Sequence, residues 1–358
     1  LALIGAYESM MGGGRVMASR FTPYPVAEIG IGFLSYQFGS IAANLITFIF
    51  IILSCLFLFL GLSKKNNLKE VSLFLILCLS SPVLFFDNIE PIDYSWAFIF
   101  LSLGLFSLKK NYFELAILLF GISIGTRINF VLFIFAVIFF IETSKPLNLY
   151  RRFILFLCSF FIGGLFYLTI WFQHGFGIEW LTAVTPNNQG FIGLTARFIY
   201  KTIISITIIS LVFIIFNFFT IFKKRNFSKL NVYNLNLVIS IIIFNLVLFF
   251  FIPAELSYLQ PFLVSLYFLI FQIFSKTAII ILILLNLSSW VIDINFLNIK
   301  YKSNDTCKNV EAISAKLDFK IEKGRFYKYL NTRDKIKCWI LDNSERSRKI
   351  LSGKALKD

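Results

Sequence analysis

Long runs of apolar residues recur along the first 292 positions of the chain, and short polar segments separate them. Runs of roughly 17–25 apolar residues are long enough to cross a bilayer as helices. The pattern predicts an all-α polytopic membrane protein with about ten transmembrane or hairpin helices. The predicted spans are residues 41–62, 71–86, 93–108, 112–125, 128–142, 153–172, 197–222, 233–252, 257–274 and 277–292, of which 112–125 and 128–142 could form a tight hairpin.

Composition agrees with this interpretation. The chain is 358 residues long and 58% hydrophobic, with a mean hydropathy of +0.80, whereas soluble domains are about 45–50% apolar. The pattern divides the chain into an outer loop (1–40), a transmembrane bundle (41–292) and a small polar, basic C-terminal tail (293–358). The chain starts at Leu1 without a signal-peptide pattern, which is what a fragment lacking an N-terminal span would show.

Charges in the loops alternate along the chain and predict which loops face the cytoplasm. Thirteen Lys and Arg residues occupy one set of loops, and five occupy the other set, which holds nearly all of the acidic residues. Because short cytoplasmic loops are rich in Lys and Arg, the first set is predicted to face inward. We therefore expect an integral, multi-pass protein of a bacterial inner membrane with an acidic outer side. The basic loops are 64–69, 109–110, 145–152, 223–229 and Lys276.

The tail from residue 293 carries 16 Lys and Arg against 9 Asp and Glu, a net charge of +7. The count of spans places it outside, whereas its charge suits the cytoplasmic side and anionic lipid; both remain open. Outside the cell Cys307 and Cys338 could form a disulfide, and inside they would stay reduced. We attribute the net charge of +15 to contact with the membrane, because the sequence contains no nucleic-acid-binding motif that would explain it.

Charged residues near a membrane are expensive and usually functional, so the outer side supplies the candidate site. Each candidate also has a simpler explanation. Arg20 could pair with Glu28 to seat the bend made by T-P-Y-P, a stretch that we expect to be extended. The acidic turn D-N-I-E-P-I-D could bind a divalent cation or sugar hydroxyls, or only set topology. The candidates are Glu8, Arg20, Tyr24, Glu28, Asp87, Glu90, Asp93, Arg127, His174, Glu255 and Tyr258.

Two of these candidates have specific alternatives. Arg127 either snorkels to the outer headgroups or faces an outer cavity and neutralises a lipid phosphate. His174 lies in an amphipathic segment, W-F-Q-H-G-F-G-I-E-W-L, and is either an interfacial hydrogen-bonding residue or a binding residue. One His and no C-x-x-C pattern make a zinc site an unlikely use of the Cys residues.

Three stretches together resemble the GT-C superfamily of integral-membrane glycosyltransferases. They are the opening loop with Glu8 followed by S-R-F-T-P-Y-P-V-A-E, the segment L-L-F-G-I-S-I-G-T-R, and P-A-E-L-S-Y-L-Q-P. The resemblance covers roughly residues 8–275 and includes the order and sidedness of these stretches. It implies a GT-C-like helical bundle.

The resemblance also implies an activity. Members pass a sugar from a polyprenyl-phosphate carrier to a glycan, lipid or protein acceptor on the outer face. By position Glu8 matches the catalytic carboxylate, and Arg20 and Arg127 match the basic residues that hold the carrier phosphate. A divalent cation (Mg or Mn) is a possible cofactor. The alternatives are a transporter or lipid flippase, against which the apolar middles of the spans argue, and a non-catalytic assembly protein of the cell envelope.

Overall fold

The computed structural model describes residues 24–64, 67–89, 92–142, 147–173, 191–223, 234–252, 256–301 and 310–323. The chain divides into two compact units, one made of Ala2–Leu284 and a second built mainly from Leu285–Asp358. Regular structure in the described part of the first unit is helical. The helices are α1 (Pro25–Leu62), α2 (Leu68–Ser80), α3 (Pro82–Phe86), α4 (Asp93–Lys109), α5 (Phe113–Thr126), α6 (Val131–Phe140), α7 (Leu149–Gln173), α8 (Phe191–Ile206), α9 (Ile208–Lys223), α10 (Leu235–Phe251), α11 (Gln260–Ile273) and α12 (Lys276–Val291), with 3₁₀ turns η1 (Ile128–Phe130) and η2 (Leu256–Leu259).

The C-terminal region contains a β-hairpin that the sequence pattern did not predict. Strand β1 (Ile292–Tyr301) pairs antiparallel with β2 (Val310–Lys323), and the register shifts twice along the pair. Ile294 lies opposite Ile321, and Ile299 lies opposite Ile313. The alternation of apolar and polar residues in both segments is typical of strands, but their many charges led us to expect only a polar tail.

Three of the described helical segments are long and apolar enough to cross a membrane: Ile41–Leu62, Leu149–Leu168 and Leu256–Ile273. A fourth span is possible if Phe198–Ile206 and Ile208–Ile221 act together, although they meet at an angle of 83°. The chain is thus helical and suited to a membrane, but the prediction of about ten transmembrane helices is not confirmed.

Helix breaks account for part of this difference. The predicted span 71–86 ends early because Ser81 is extended (φ −66°, ψ 125°) and Pro82 starts a separate short helix. A proline disfavours helical geometry in the residue before it and lacks the N–H that would continue the helix. The predicted span 197–222 is broken at Thr207, whose φ of 70° is left-handed.

The segment from residue 25 to residue 40 also differs from the prediction of an outer loop. Helix α1 begins at Pro25, and the Glu28 N–H donates to the Tyr24 carbonyl at 2.8 Å. The expectation that T-P-Y-P excludes helix is therefore wrong for its last residue, because proline is well suited to the first helical position. A break at Gly39 (φ 81°, ψ 170°) then separates this helical stretch from the span.

Close approach through glycines holds α1, α4, α5 and α7 side by side. Gly61 of α1 faces Leu105, and Gly104 of α4 faces Phe120 on α5. Helices α5 and α7 meet at G-I-S-I-G, where a β-carbon on Gly121 would lie 2.4 Å from Ile162. A pair of glycines spaced by four residues lets two membrane helices approach closely. The apolar core continues through α2, α6, α10 and α11.

A polar layer joins the helix ends at the side predicted to be cytoplasmic. The Lys109 ammonium donates to the carbonyls of Leu60, at 2.7 Å, and Ser63. Asn234 bridges the Leu62 carbonyl and the Glu142 N–H. Partial burial and, secondarily, the charge of Lys110 lower the pKa of Lys109 to about 8. The ammonium thus still carries its charge at pH 7, which suits the C-terminal end of a helix.

Arg152 extends the same layer. Its guanidinium donates to the carbonyls of Ile138, Ile141 (3.2 Å) and Leu147 (3.2 Å), which lie at and beyond the end of α6. Lysine and arginine near helix C-termini satisfy carbonyls that have no partner within the helix. Two basic residues that the sequence assigned to inner loops therefore bind helix ends.

The adjacent residues Gly163 and Gly164 on α7 provide a test of the close contact. A β-carbon on Gly163 would lie 2.5 Å from Ile124 and 3.2 Å from the Gly121 carbonyl oxygen, whereas one on Gly164 meets nothing within 4 Å. We expect Gly163→Ala to lower the free energy of unfolding by about 1–3 kcal/mol, as overpacking does. Gly164→Ala is the control, because both changes bring the same gain in helix propensity. Equal unfolding temperatures for the two purified variants would contradict the close contact.

Candidate functional site

Arg127 is the largest fully buried side chain among the described residues, with 1% of it exposed. It lies between α5 and η1, where its extended backbone (φ −151°, ψ 118°) ends the helix. Its N–H still bonds to the Ser123 carbonyl at 2.9 Å. The break turns the side chain inward, so Arg127 neither snorkels to headgroups nor faces an open cavity.

The partner of this charge is Asp93, the first residue of α4. One terminal nitrogen of Arg127, Nη2, lies 2.9 Å from Asp93 Oδ1 and 2.8 Å from Oδ2. The carboxylate sits at the N-terminal end of its helix, where the helix dipole also favours a negative charge. An ion pair removed from water is stable only when both charges are well satisfied.

Three tyrosine rings surround the guanidinium. Its Cζ lies 3.7 Å from the ring centroid of Tyr94, 4.3 Å from that of Tyr24 and 4.7 Å from that of Tyr258. Each distance is within the range in which an aromatic face attracts a cation. We call Asp93, Arg127, Tyr24, Tyr94 and Tyr258 the Arg127 cluster. Its members come from the start of α1, the start of α4, the end of α5 and the turn η2.

Two asparagines extend the Arg127 cluster toward α10. Asn129 donates from Nδ2 to the Tyr94 hydroxyl at 2.6 Å, and Asn245 donates from Nδ2 to the Tyr258 carbonyl at 2.9 Å. The rings of Tyr94 and Tyr258 stack with centroids 4.4 Å apart. The Oδ1 atoms of both asparagines are buried and accept no hydrogen bond from the described residues.

A second polar group lies around Ser95, two residues after Asp93 on α4. The Ser95 hydroxyl contacts Asn88 Oδ1, and it lies 3.1 Å from Gln260 Oε1. Gln260 Nε2 in turn donates to Asn88 Oδ1 at 3.0 Å. All three side chains are fully buried. Because buried amides are costly unless they are paired, this group fixes the turn after α3 against α4 and α11.

The sequence candidates divide into those that meet and those that lie outside the described residues. Tyr24, Asp93, Arg127 and Tyr258 converge in the Arg127 cluster. Glu28 is buried on the first turn of α1, with 1% of it exposed, and Asp87 lies in the turn after α3. The candidates outside the described residues are Glu8, Arg20, Glu90, His174 and Glu255, together with Cys307 and Cys338.

The Arg127 cluster is suited to holding segments of the chain in position rather than to reacting with a substrate. Asp93 neutralises Arg127, so this carboxylate is already engaged and the guanidinium is enclosed by rings. Among the described residues no three His, Cys, Asp or Glu side chains converge as a metal site would require. Binding of Mg or Mn stays a prediction that depends on Glu90 and other acidic residues outside the described part.

Sequence reasoning missed the buried amides Asn88, Asn129, Asn245 and Gln260. Asn245 interrupts the apolar run I-I-I-F-N-L-V-L, and a polar residue inside such a run is a signal in itself. Asn88 and Gln260 lay in stretches that we had singled out, but only their charged and tyrosine neighbours were selected.

Comparison with known proteins gives no match: no family model fits the sequence, and no characterised protein or solved structure resembles it at a significant level. The resemblance to GT-C glycosyltransferases therefore stays a prediction.

Removing one partner of the buried ion pair tests its structural importance. We expect Asp93→Asn to lower the free energy of unfolding by about 3–5 kcal/mol, because it leaves the Arg127 charge buried without a counter-charge. The double change Asp93→Leu with Arg127→Met should cost less than the sum of the two single changes. Thermal unfolding of the purified protein measures both effects.

Glu114→Gln is the control for this series, since Glu114 is exposed near the start of α5. Surface changes of this kind are usually worth less than about 0.5 kcal/mol. Additive effects of the Asp93 and Arg127 changes would mean that the two side chains do not depend on one another.

Proposed function

We propose that the protein is a membrane glycosyltransferase that moves a sugar from a polyprenyl-phosphate carrier to a glycan, lipid or protein acceptor. The single observation that supports this most is the convergence at Arg127. The three stretches with GT-C resemblance are remote in sequence, yet Tyr24, Arg127 and Tyr258, one from each, come together around one guanidinium. A shared site explains why these stretches carry the resemblance.

In this proposal the Arg127 cluster holds the end of the outer loop. Tyr24 immediately follows S-R-F-T-P and lies against Arg127. The distance from the Tyr24 ring centroid to Arg127 Cζ is 4.3 Å. The loop that carries Glu8 and Arg20 therefore leads directly to a rigid, buried anchor. Catalytic groups on loops need such anchors because small displacements of reacting atoms cost much of the rate.

The chemistry then falls to residues of the loop. Glu8 acts as the general base that removes a proton from the acceptor hydroxyl, and Arg20 stabilises the departing carrier phosphate. The isoprenoid tail lies against apolar helix surfaces in the bilayer. We propose that the reaction takes place at the outer face of a bacterial inner membrane. In support of this sidedness, the Arg127 cluster and the basic layer at Lys109 and Arg152 lie at opposite ends of α4 and its neighbours.

Transfer of radiolabelled sugar from several polyprenyl-phosphate sugars, by the full chain reconstituted in liposomes, tests the proposal. We expect Glu8→Gln to lower transfer about 100-fold to 10,000-fold, the usual contribution of a general base. Glu114→Gln, an exposed carboxylate on α5, should leave transfer unchanged once equal membrane insertion is confirmed.

Other outcomes have defined meanings. Equal transfer by wild type and Glu8→Gln would move the base to another acidic residue, with Asp87 and Glu90 next. An absence of transfer by the wild-type protein with every donor would contradict the proposal.

A second candidate is a transporter or lipid flippase, and one observation favours it. The helical segments on either side of Thr207 meet at 83°, and discontinuous helices are common in transporters. Movement of a fluorescent polyprenyl-phosphate analogue across the liposome membrane without sugar transfer would support this candidate. If the chain neither transfers nor moves the carrier, a non-catalytic role in envelope assembly is the remaining alternative.

A further inference from the structure

A small cavity lies beside the Arg127 cluster, between η1, η2 and the end of α10. Its polar lining comes from Tyr94, Tyr258, Asn129 and Asn245, and apolar side chains around the end of α10 close the rest. Its volume is about 10 Å³, which is close to the minimum that holds one water molecule. A substrate or lipid group does not fit in this space.

Two side-chain carbonyl oxygens of this lining accept no hydrogen bond from the part of the chain that the structure describes. Asn245 is 2% exposed, and its Nδ2 bonds to the Tyr258 carbonyl, which fixes the orientation of the amide. Its Oδ1 is buried and accepts no hydrogen bond from the described residues, and the same holds for Asn129 Oδ1. Buried acceptors without a partner are rare in native proteins because their loss of hydration is not compensated.

The chemistry of the lining decides what occupies the cavity. Both groups without a partner are acceptors, so the guest must donate two hydrogens. Water does this, whereas a single hydroxyl group donates one. A metal cation or ammonium is disfavoured, because the Arg127 guanidinium already lies on the Tyr94 and Tyr258 rings, with Cζ 3.7 and 4.7 Å from their centroids. Like charges repel each other more strongly in an apolar interior than in water.

We propose that this cavity is a binding site for one water molecule, which donates hydrogen bonds to Asn129 Oδ1 and Asn245 Oδ1. The water completes a continuous polar path from Asp93 and Arg127 through Tyr94 and Asn129 to α10. It is a structural ligand that attaches α10 to the Arg127 cluster, and it does not depend on the proposed glycosyltransferase activity.

An experimental structure of the full chain, in lipid nanodiscs and at a resolution that shows ordered water, tests the site directly. We expect one isolated density peak within about 2.7–3.2 Å of both Oδ1 atoms. Absence of the peak, while other enclosed waters are visible, would overturn the proposal. Density that continues out of the cavity, or a peak with short contacts of about 2.3–2.6 Å to several oxygens, would instead indicate an organic ligand or a cation.

Variants supply a second and independent measurement. Asn245→Leu and Asn129→Leu each remove one acceptor at similar side-chain size, and each should lower the thermal unfolding temperature. If one water serves both amides, the double variant should lose clearly less than the sum of the single losses. Asn217→Leu is the matched control, because among the described residues the Asn217 amide bonds within its own helix, to the Phe213 carbonyl at 2.9 Å. Combined with Asn245→Leu it should be additive. Additive losses for Asn129 and Asn245 would contradict a shared water.

Discussion

The ion pair between Asp93 and Arg127 is the interaction on which this end of the protein depends. The Arg127 guanidinium is 1% exposed and has lost its hydration. It carries five N–H donors, and Asp93 alone does not satisfy all of them. The rings of Tyr24, Tyr94 and Tyr258 cover the remaining faces of the charge. Each ring belongs to a different part of the chain, so satisfying one cation brings α1, α4 and the turn η2 together around the break after α5.

Polar groups elsewhere in the bundle also exchange hydrogen bonds to water for hydrogen bonds within the protein. At the end of α4 that carries Asp93, amides such as Asn88 and Gln260 bond to one another and to Ser95. At the opposite end, Lys109 and Arg152 bond to backbone carbonyls that helix geometry leaves open. The middle between the two layers is held by apolar side chains and by glycine contacts, which need no hydrogen bonds. Along α4, charged groups thus lie at the two ends of the helix, and apolar packing holds the part between them.

The sequence pattern was sufficient to predict helices suited to a membrane and to single out Arg127, Asp93 and Tyr258. It did not predict that they touch, because Arg127 is 34 positions from Asp93 and helices α6 to α10 lie between Arg127 and Tyr258, so no local rule connects them. The break before Pro82 had a readable cause that we overlooked, since proline restricts the residue ahead of it. The break at Thr207 has no such cause in the sequence, because β-branched residues rarely adopt the left-handed geometry that Thr207 has.

The length of α4 has a consequence for its charged ends. Asp93 opens this helix and Lys109 closes it, and at 1.5 Å per residue the two charged ends are about 24 Å apart. A typical hydrocarbon layer is about 30 Å thick. Most side chains of α4 are buried, so neighbouring helices rather than lipid surround it. The charged ends of a helix shorter than the hydrocarbon layer are thus covered by protein, and α4 needs no direct contact with the headgroups.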